Sequence, residues 1–249
     1  MATPGQLVKV IACTLGEDEA TVTQHDRNLL IAGLRTKGGR GRSAAKVTAR
    51  DAAHLLTSVL GSHRVRDGVE TVRRYLQTQE HHAHWHQHYP DKLQGMGKAN
   101  VWENYDIAEL TALPPDHTFI DALTVLIELS AAGRLIPQMR AFEGRVSFGD
   151  LSIIVTSPRT HARISMHCFR SKDDHKSVQA DYGSNEPPSA WMKDETGTVL
   201  PPPPTPVTLN PRLNRWCEMN AMPLLYIGAL LAGKIDELPK IEGDCTSLR

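Results

Sequence analysis

Leu7, Val8, Val10, Ile11 and Leu15 recur at helical spacing behind Thr3 and Pro4, and Gly16 follows them. A capping residue, a proline in the first turn and a glycine stop predict a helix over 4–15. The acidic EDEA comes next and suits the positive end of another helix. Ala20 and Val22 predict a short second helix. Thr23 or Asp26 would cap a third, over Leu29, Leu30 and Leu34, ending near Gly33. TKGGRGRSAAKV has no apolar period before Val47 and predicts a loop or hairpin. Thr48, with Asp51 three residues on, forms a capping box for a helix that buries Ala52, Leu55, Leu56, Val59 and Leu60.

Val69, Val72 and Leu76 predict a further helix over 68–88, ended by Pro90, and the connector DKLQGMGKAN follows. A short helix is expected over 104–113. Phe119, Ile120, Leu123, Leu126, Ile127 and Leu129 predict another, capped by Asp116 and closed by Gly133. Beyond Arg145 the period changes. VSFGDLSIIVTS and HARISMHCF, joined by PRT, read as an antiparallel hairpin. A proline-rich arm over 183–211 and a last helix from about Asn210 to Gly233 complete the chain. The expected class is α+β: an N-terminal winged helix-turn-helix, a helical middle, and a C-terminal hairpin or small sheet with a final helix. Three units are expected: 1–66 for DNA, 67–92 as a connecting helix with a histidine-rich end, and 93–249 for oligomerisation or a partner.

Twenty-eight basic residues balance 28 acidic ones, so net charge argues for no partner. Its distribution does. Residues 1–78 hold 12 Lys/Arg against 7 Asp/Glu, and six basic residues with no acid lie between Arg35 and Arg50. A local basic surplus on a neutral chain is the footprint of a polyanion. Cys13, Cys168, Cys217 and Cys245 show no CxxC pairing, which argues against a cysteine zinc site or a disulfide-dense scaffold. MATPGQLVKV lacks the regions of a signal peptide, and MPLLYIGALLAG is about half a spanning helix. A cytoplasmic protein that binds no membrane is expected.

At the start of the expected third helix stand Gln24, His25, Arg27 and Asn28, side chains suited to base edges in a major groove. Arg35, Lys37, Arg40, Arg42 and Lys46 would meet phosphates, with glycines allowing close approach. A phosphate loop is excluded by order: a helix precedes the glycines, and no GK[ST] occurs. The run Thr21-Val22, Arg27, Leu29, Gly33-Leu34, GGRGRS and Val47-Thr48-Ala49-Arg50-Asp51-Ala52 resembles the MerR-like winged helices of bacterial and phage regulators, excisionases and some phage small terminases. The resemblance covers residues 4–60. It implies a recognition helix, a Gly/Arg wing and double-stranded DNA as partner. Asn28 and Leu29 stand where those regulators usually carry aromatics, and the following helix is too short for their dimerising coiled coil.

EHHAHWHQHYP places His82 with His86, and His84 with His88, four residues apart. On a helix that spacing lets two imidazoles share zinc, with Glu80 nearby. No HExxH or carboxylate-rich partner accompanies them, so the run reads first as a solvated helix end, and no metal or cofactor is expected. Asp173-Asp174-His175 lacks the further carboxylates of a nuclease site. No nucleophile elbow, dinucleotide fingerprint or kinase signature is present. The expected function is therefore non-enzymatic: a homodimeric or larger DNA-binding regulator. A phage DNA-packaging recognition subunit is the first alternative, and a metal-dependent enzyme or metal sensor built on His81–His88 the second.

Overall fold

The computed structural model describes residues 2–37, 46–88, 93–97, 102, 107–135, 151–157, 160–169, 175–184 and 215–238. For 81–88, 93–97, 167–169, 175–177, 184 and 215–216 it describes the backbone alone. Its elements are α1 (Pro4–Leu15), α2 (Glu19–Ile31), α3 (Ala49–Gly61), α4 (Gly68–Tyr75), β1 (Thr78–His88), β2 (Leu93–Gly97), α5 (Ala108–Thr111), α6 (Phe119–Ala131), β3 (Leu151–Ser157), β4 (His161–Phe169), β5 (His175–Ser184), β6 (Arg215–Asn220) and α7 (Met222–Ala232). The chain is thus mixed helix and antiparallel sheet, in the α+β class.

Local capping starts the helices. Thr3 and Gln6 form a capping box on α1, Thr48 and Asp51 on α3, and Thr118 and Asp121 on α6. The cap of α6 is therefore Thr118 and not Asp116. Gly16 takes the left-handed conformation (φ 67°) and closes α1 onto the Ala12 and Cys13 carbonyls. Asp18 then accepts the Thr21 amide, so one continuous α2 replaces the two short helices expected over this stretch. Once Asp18 satisfies the first free amide, neither Thr23 nor Asp26 has a helix to start.

Two further expectations give way to strands. The helix expected over 68–88 stops at Tyr75, and residues 78–88 form β1. Here β5 on one side and β2 on the other supply a backbone ladder that outweighs a weak apolar period. The helix expected from Asn210 is α7 alone, preceded by β6; Asn220 Oδ1 accepts the Met222 amide at 2.9 Å, and Pro223 sits in the first turn. The hairpin is present as β3 and β4. Of the expected connector DKLQGMGKAN, 93–97 form β2; of the expected proline-rich arm 183–211, Gly183 and Ser184 end β5; the rest of both, with Asp173 and Asp174, lies outside the described residues.

The six strands form one antiparallel sheet in the order β2-β1-β5-β4-β3-β6. Its inner face carries Leu151, Ile153, Val155, Ala162, Ile164, Met166, Val178, Ala180, Tyr182 and Met219, all buried. The helices cover this face. α3 lies at the centre, against α2, α4, α6, α7 and β3, with every residue but Arg50 buried. One apolar cluster runs from Ala2 to Leu230. Tyr75 fastens α4 to the β3–β4 turn: its hydroxyl stands 2.8 Å from the carbonyl oxygens of Thr156 and His161. Cys13 is disulfide-bonded, and Cys217 is a half-buried thiol that forms no disulfide. Among the described residues no helix is long and apolar enough to cross a membrane.

Candidate nucleic-acid interface

α1 and α2 are joined by only three residues, Gly16 to Asp18. Glycine in the left-handed region lets so short a connection reverse the chain. Val22 and Leu29 anchor α2 in the core, while Ala20, Gln24, Arg27 and Ile31 form its exposed stripe. Ile31 is 81% exposed, which no core role explains. The amino end of α2 is acidic: Asp18 caps it and Glu19 occupies its first turn. Its positive pole is thereby neutralised from within. Any anion met by this helix lies along its middle or its flanks.

The residues expected to read bases divide into two groups. Gln24 and Arg27 are exposed. Gln24 Nε2 donates to Asn28 Oδ1 at 3.0 Å, and Asn28 Nδ2 donates to the Val65 carbonyl at 3.3 Å, so both amides are held in one orientation. His25 points inward instead. It is buried, and its Nδ1 lies 2.7 Å from Ser58 Oγ on α3. An imidazole in that position orders the helices and does not reach a ligand outside.

Arg35 is also committed to the interior. Its guanidinium Nε stands 2.9 Å from Asp26 Oδ1, with both side chains 10% exposed. Burial pushes the Asp26 carboxyl up, and the Arg35 charge opposes this. A buried pair of this kind cannot also neutralise a phosphate without leaving Asp26 uncompensated. Lys37 and Lys46 are exposed; Arg40 and Arg42 lie outside the described residues. The ends of their segment are fixed. The Thr36 amide donates to Asp51 Oδ1 at 2.7 Å, the Leu34 carbonyl lies 2.6 Å from His54 Nδ1, and the Val47 amide donates to the Ala2 carbonyl at 3.2 Å. Asp51, the capping-box partner of Thr48, thus serves twice, closing the box at the start of α3 and holding the Thr36 amide.

Three cationic or titratable residues escaped the sequence reading: His63, Arg64 and Arg66, all exposed in the turn between α3 and α4. The signal was present as HRVR after a capped helix, but nothing local shows that this turn adjoins α2. The histidine run lies elsewhere, in β1. On a strand the positions of His82, His84, His86 and His88 alternate by two, so the helical spacing that suggested zinc does not exist there. Their side chains are outside the described residues. Among the described residues no group of three or more metal-ligating side chains occurs.

A second polar cluster is buried where β1, β5 and the start of α6 meet. His117 Nδ1 lies 2.8 Å from the Pro114 carbonyl, which makes it the protonated nitrogen. Its Nε2 then accepts from the Tyr182 hydroxyl at 2.9 Å, with Glu80 Oε2 at 3.5 Å. Burial pushes His117 down and raises Glu80 to about 7, so the contact is between neutral groups more than between ions. On the outer face of the sheet, Asp181 takes hydrogen bonds from Arg163 at 2.7 Å and Gln179 at 3.0 Å, with His161 at 3.3 Å. Burial pushes its carboxyl up. Those bonds and the Arg163 charge more than offset this, holding it well below the usual carboxylate range. The polar groups of the Asp181 cluster satisfy one another across β4 and β5, while among the described residues Glu80 meets only the His117 ring at the edge of the first cluster.

No family model, curated protein or solved structure matches this chain.

Proposed function

We propose that this chain binds double-stranded DNA by laying α2 in the major groove, and that it acts as a transcriptional regulator. The observation that carries the reading is the disposition of α2. It follows a three-residue glycine turn, buries one stripe, and presents Gln24 and Arg27 on the other. Arg pairs with the O6 and N7 of guanine, Gln with the N6 and N7 of adenine, and each good pair contributes roughly 1–3 kcal/mol of discrimination. Lys37 and Lys46, next to the bonds at Thr36 and Val47, supply phosphate contacts together with Arg40 and Arg42. His25 and Arg35 drop out of the interface, since the core uses both.

A helix pair of this size reads only a few base pairs, so two copies on half-sites about one helical turn apart complete the site. The packaging alternative shares the DNA contacts and differs in assembly. Mass measurement in solution separates a dimer from a closed ring. Selection from a library of random duplexes tests the main reading. Enrichment of a short motif repeated at about one helical turn is expected, and recovery of unbiased sequence overturns specific recognition.

A further inference from the structure

We infer that the turn between α3 and α4, residues 62–67, is a second phosphate-binding element. It carries Arg64 and Arg66 to the duplex strand opposite the one met by Lys37 and Lys46. The inference rests on the DNA-binding reading above and adds a contact that neither the resemblance nor the charge run indicates.

Three observations support it. First, the turn is held firmly. Its Val65 carbonyl accepts from the Asn28 side-chain amide of α2 at 3.3 Å, and Ser62 at its start is buried. Gly68 just after it is so closely packed that a Cβ there would lie 2.3 Å from Ser58 Oγ and 2.7 Å from His25 Nδ1. α2, α3 and α4 therefore fix its backbone. Second, its two arginines face solvent. Arg64 makes no side-chain hydrogen bond or ion pair among the described residues. Arg66 is 72% exposed and reaches only Asp67, at 3.7 Å with 49% exposure, a screened surface pair.

Third, the placement suits a duplex. The basic segment is pinned at the amino end of α3, through Asp51. The turn leaves its carboxyl end. At 1.5 Å per residue the 13 residues of α3 set these two cationic sites roughly 20 Å apart. α2 is bonded to α3 through His25–Ser58 and to the turn through Asn28–Val65, and it leads to Leu34, whose carbonyl meets His54. A helix in a major groove about 12 Å wide has a phosphate chain on each side. Cations on both flanks of α2 would clamp both chains and fix the helix in register.

The test is binding of a 24-base-pair duplex, followed by fluorescence anisotropy over a series of salt concentrations. It compares the parent, Arg64→Ala with Arg66→Ala, and the corresponding glutamine pair, which keeps part of the side-chain stems should the alanines lower the melting temperature. Each phosphate contact contributes about 0.9 to the slope of log affinity against log salt. Loss of two contacts is expected to reduce the slope by about two and to weaken binding near 0.1 M salt roughly fifty-fold. The loss should be the same for every sequence. Lysine at both positions should restore the slope. If the parent binds and the neutral pairs keep its slope, the turn is a solvated surface and the inference fails while the DNA reading stands. If the substitutions change sequence preference alone, the turn reads bases and the inference also fails. A parent that binds no duplex even at low salt overturns the DNA reading itself.

Discussion

Replacing Glu80 by Gln should stabilise the protein, and only on the neutral and alkaline side. Glu80 lies beside His117 with 13% of its side chain exposed, and burial raises its carboxyl from 4.5 to about 7. Below 4.5 the carboxyl is protonated in both folded and unfolded chains and costs nothing. Between 4.5 and 7 the unfolded chain gives up the proton while the folded one keeps it, so stability falls as pH rises. Above 7 the charge is present in both and the cost is complete. A displacement of this size corresponds to roughly 3 kcal/mol, and residual solvent contact reduces the expected effect to about 2 kcal/mol. His117 works in the opposite sense: burial lowers it, so its contribution is present above 6.5 and lost as pH falls below that. That loss is common to both proteins and largely cancels in their difference. Urea unfolding of parent and Glu80→Gln between pH 5 and pH 8 reads the difference directly. It should open with rising pH and level off above 7. A difference constant across the range would refute the assignment of a buried, protonated carboxyl.

Gly68→Ala should destabilise the fold by about 1–3 kcal/mol, because its Cβ would strike Ser58 Oγ and His25 Nδ1; thermal unfolding checks this, and pairing it with Ser58→Ala should recover part of the loss. Tyr75→Phe removes the hydroxyl between the Thr156 and His161 carbonyls and the Thr156 amide. A cost of roughly 1–2 kcal/mol is expected for the groups left unpaired, with earlier amide exchange at the β3–β4 turn as its local signature.

The parts of this fold legible in the sequence are those decided within a few residues. Thr3 with Pro4 and Thr48 with Asp51 announce their helices because capping is local. The β3–β4 hairpin is legible because its strands are joined by a short turn. β1 was not, because its partner β5 begins near residue 175 and the ladder that makes it a strand is invisible locally. β5 itself, HKSVQADYGS, carries the alternation of Val178, Ala180 and Tyr182, hidden between the acidic pair Asp173-Asp174 and a proline-rich sequence.

The candidate interface shows the same division. Gln24 and Arg27, expected at the start of a third helix, stand instead in the middle of α2, on its exposed stripe. That Arg35 belongs to Asp26 and His25 to Ser58 depends on how α2 lies on α3 and on the turn after Gly33. Glu80, His117 and Tyr182 come from three separate elements, so no spacing could have joined them.

The central claim is that the exposed stripe of α2 reads DNA, and Arg27→Ala tests it most directly. Arg27 is exposed on a helix whose opposite stripe forms core, so its truncation should leave the melting temperature unchanged. Parent and variant are titrated with the duplex motif enriched from random sequence and with an unrelated duplex at the same salt. The account predicts that affinity for the motif falls about ten- to a hundred-fold, the size of one lost base pairing, while affinity for the unrelated duplex is nearly unchanged. Equal affinity of parent and variant for the motif would contradict it.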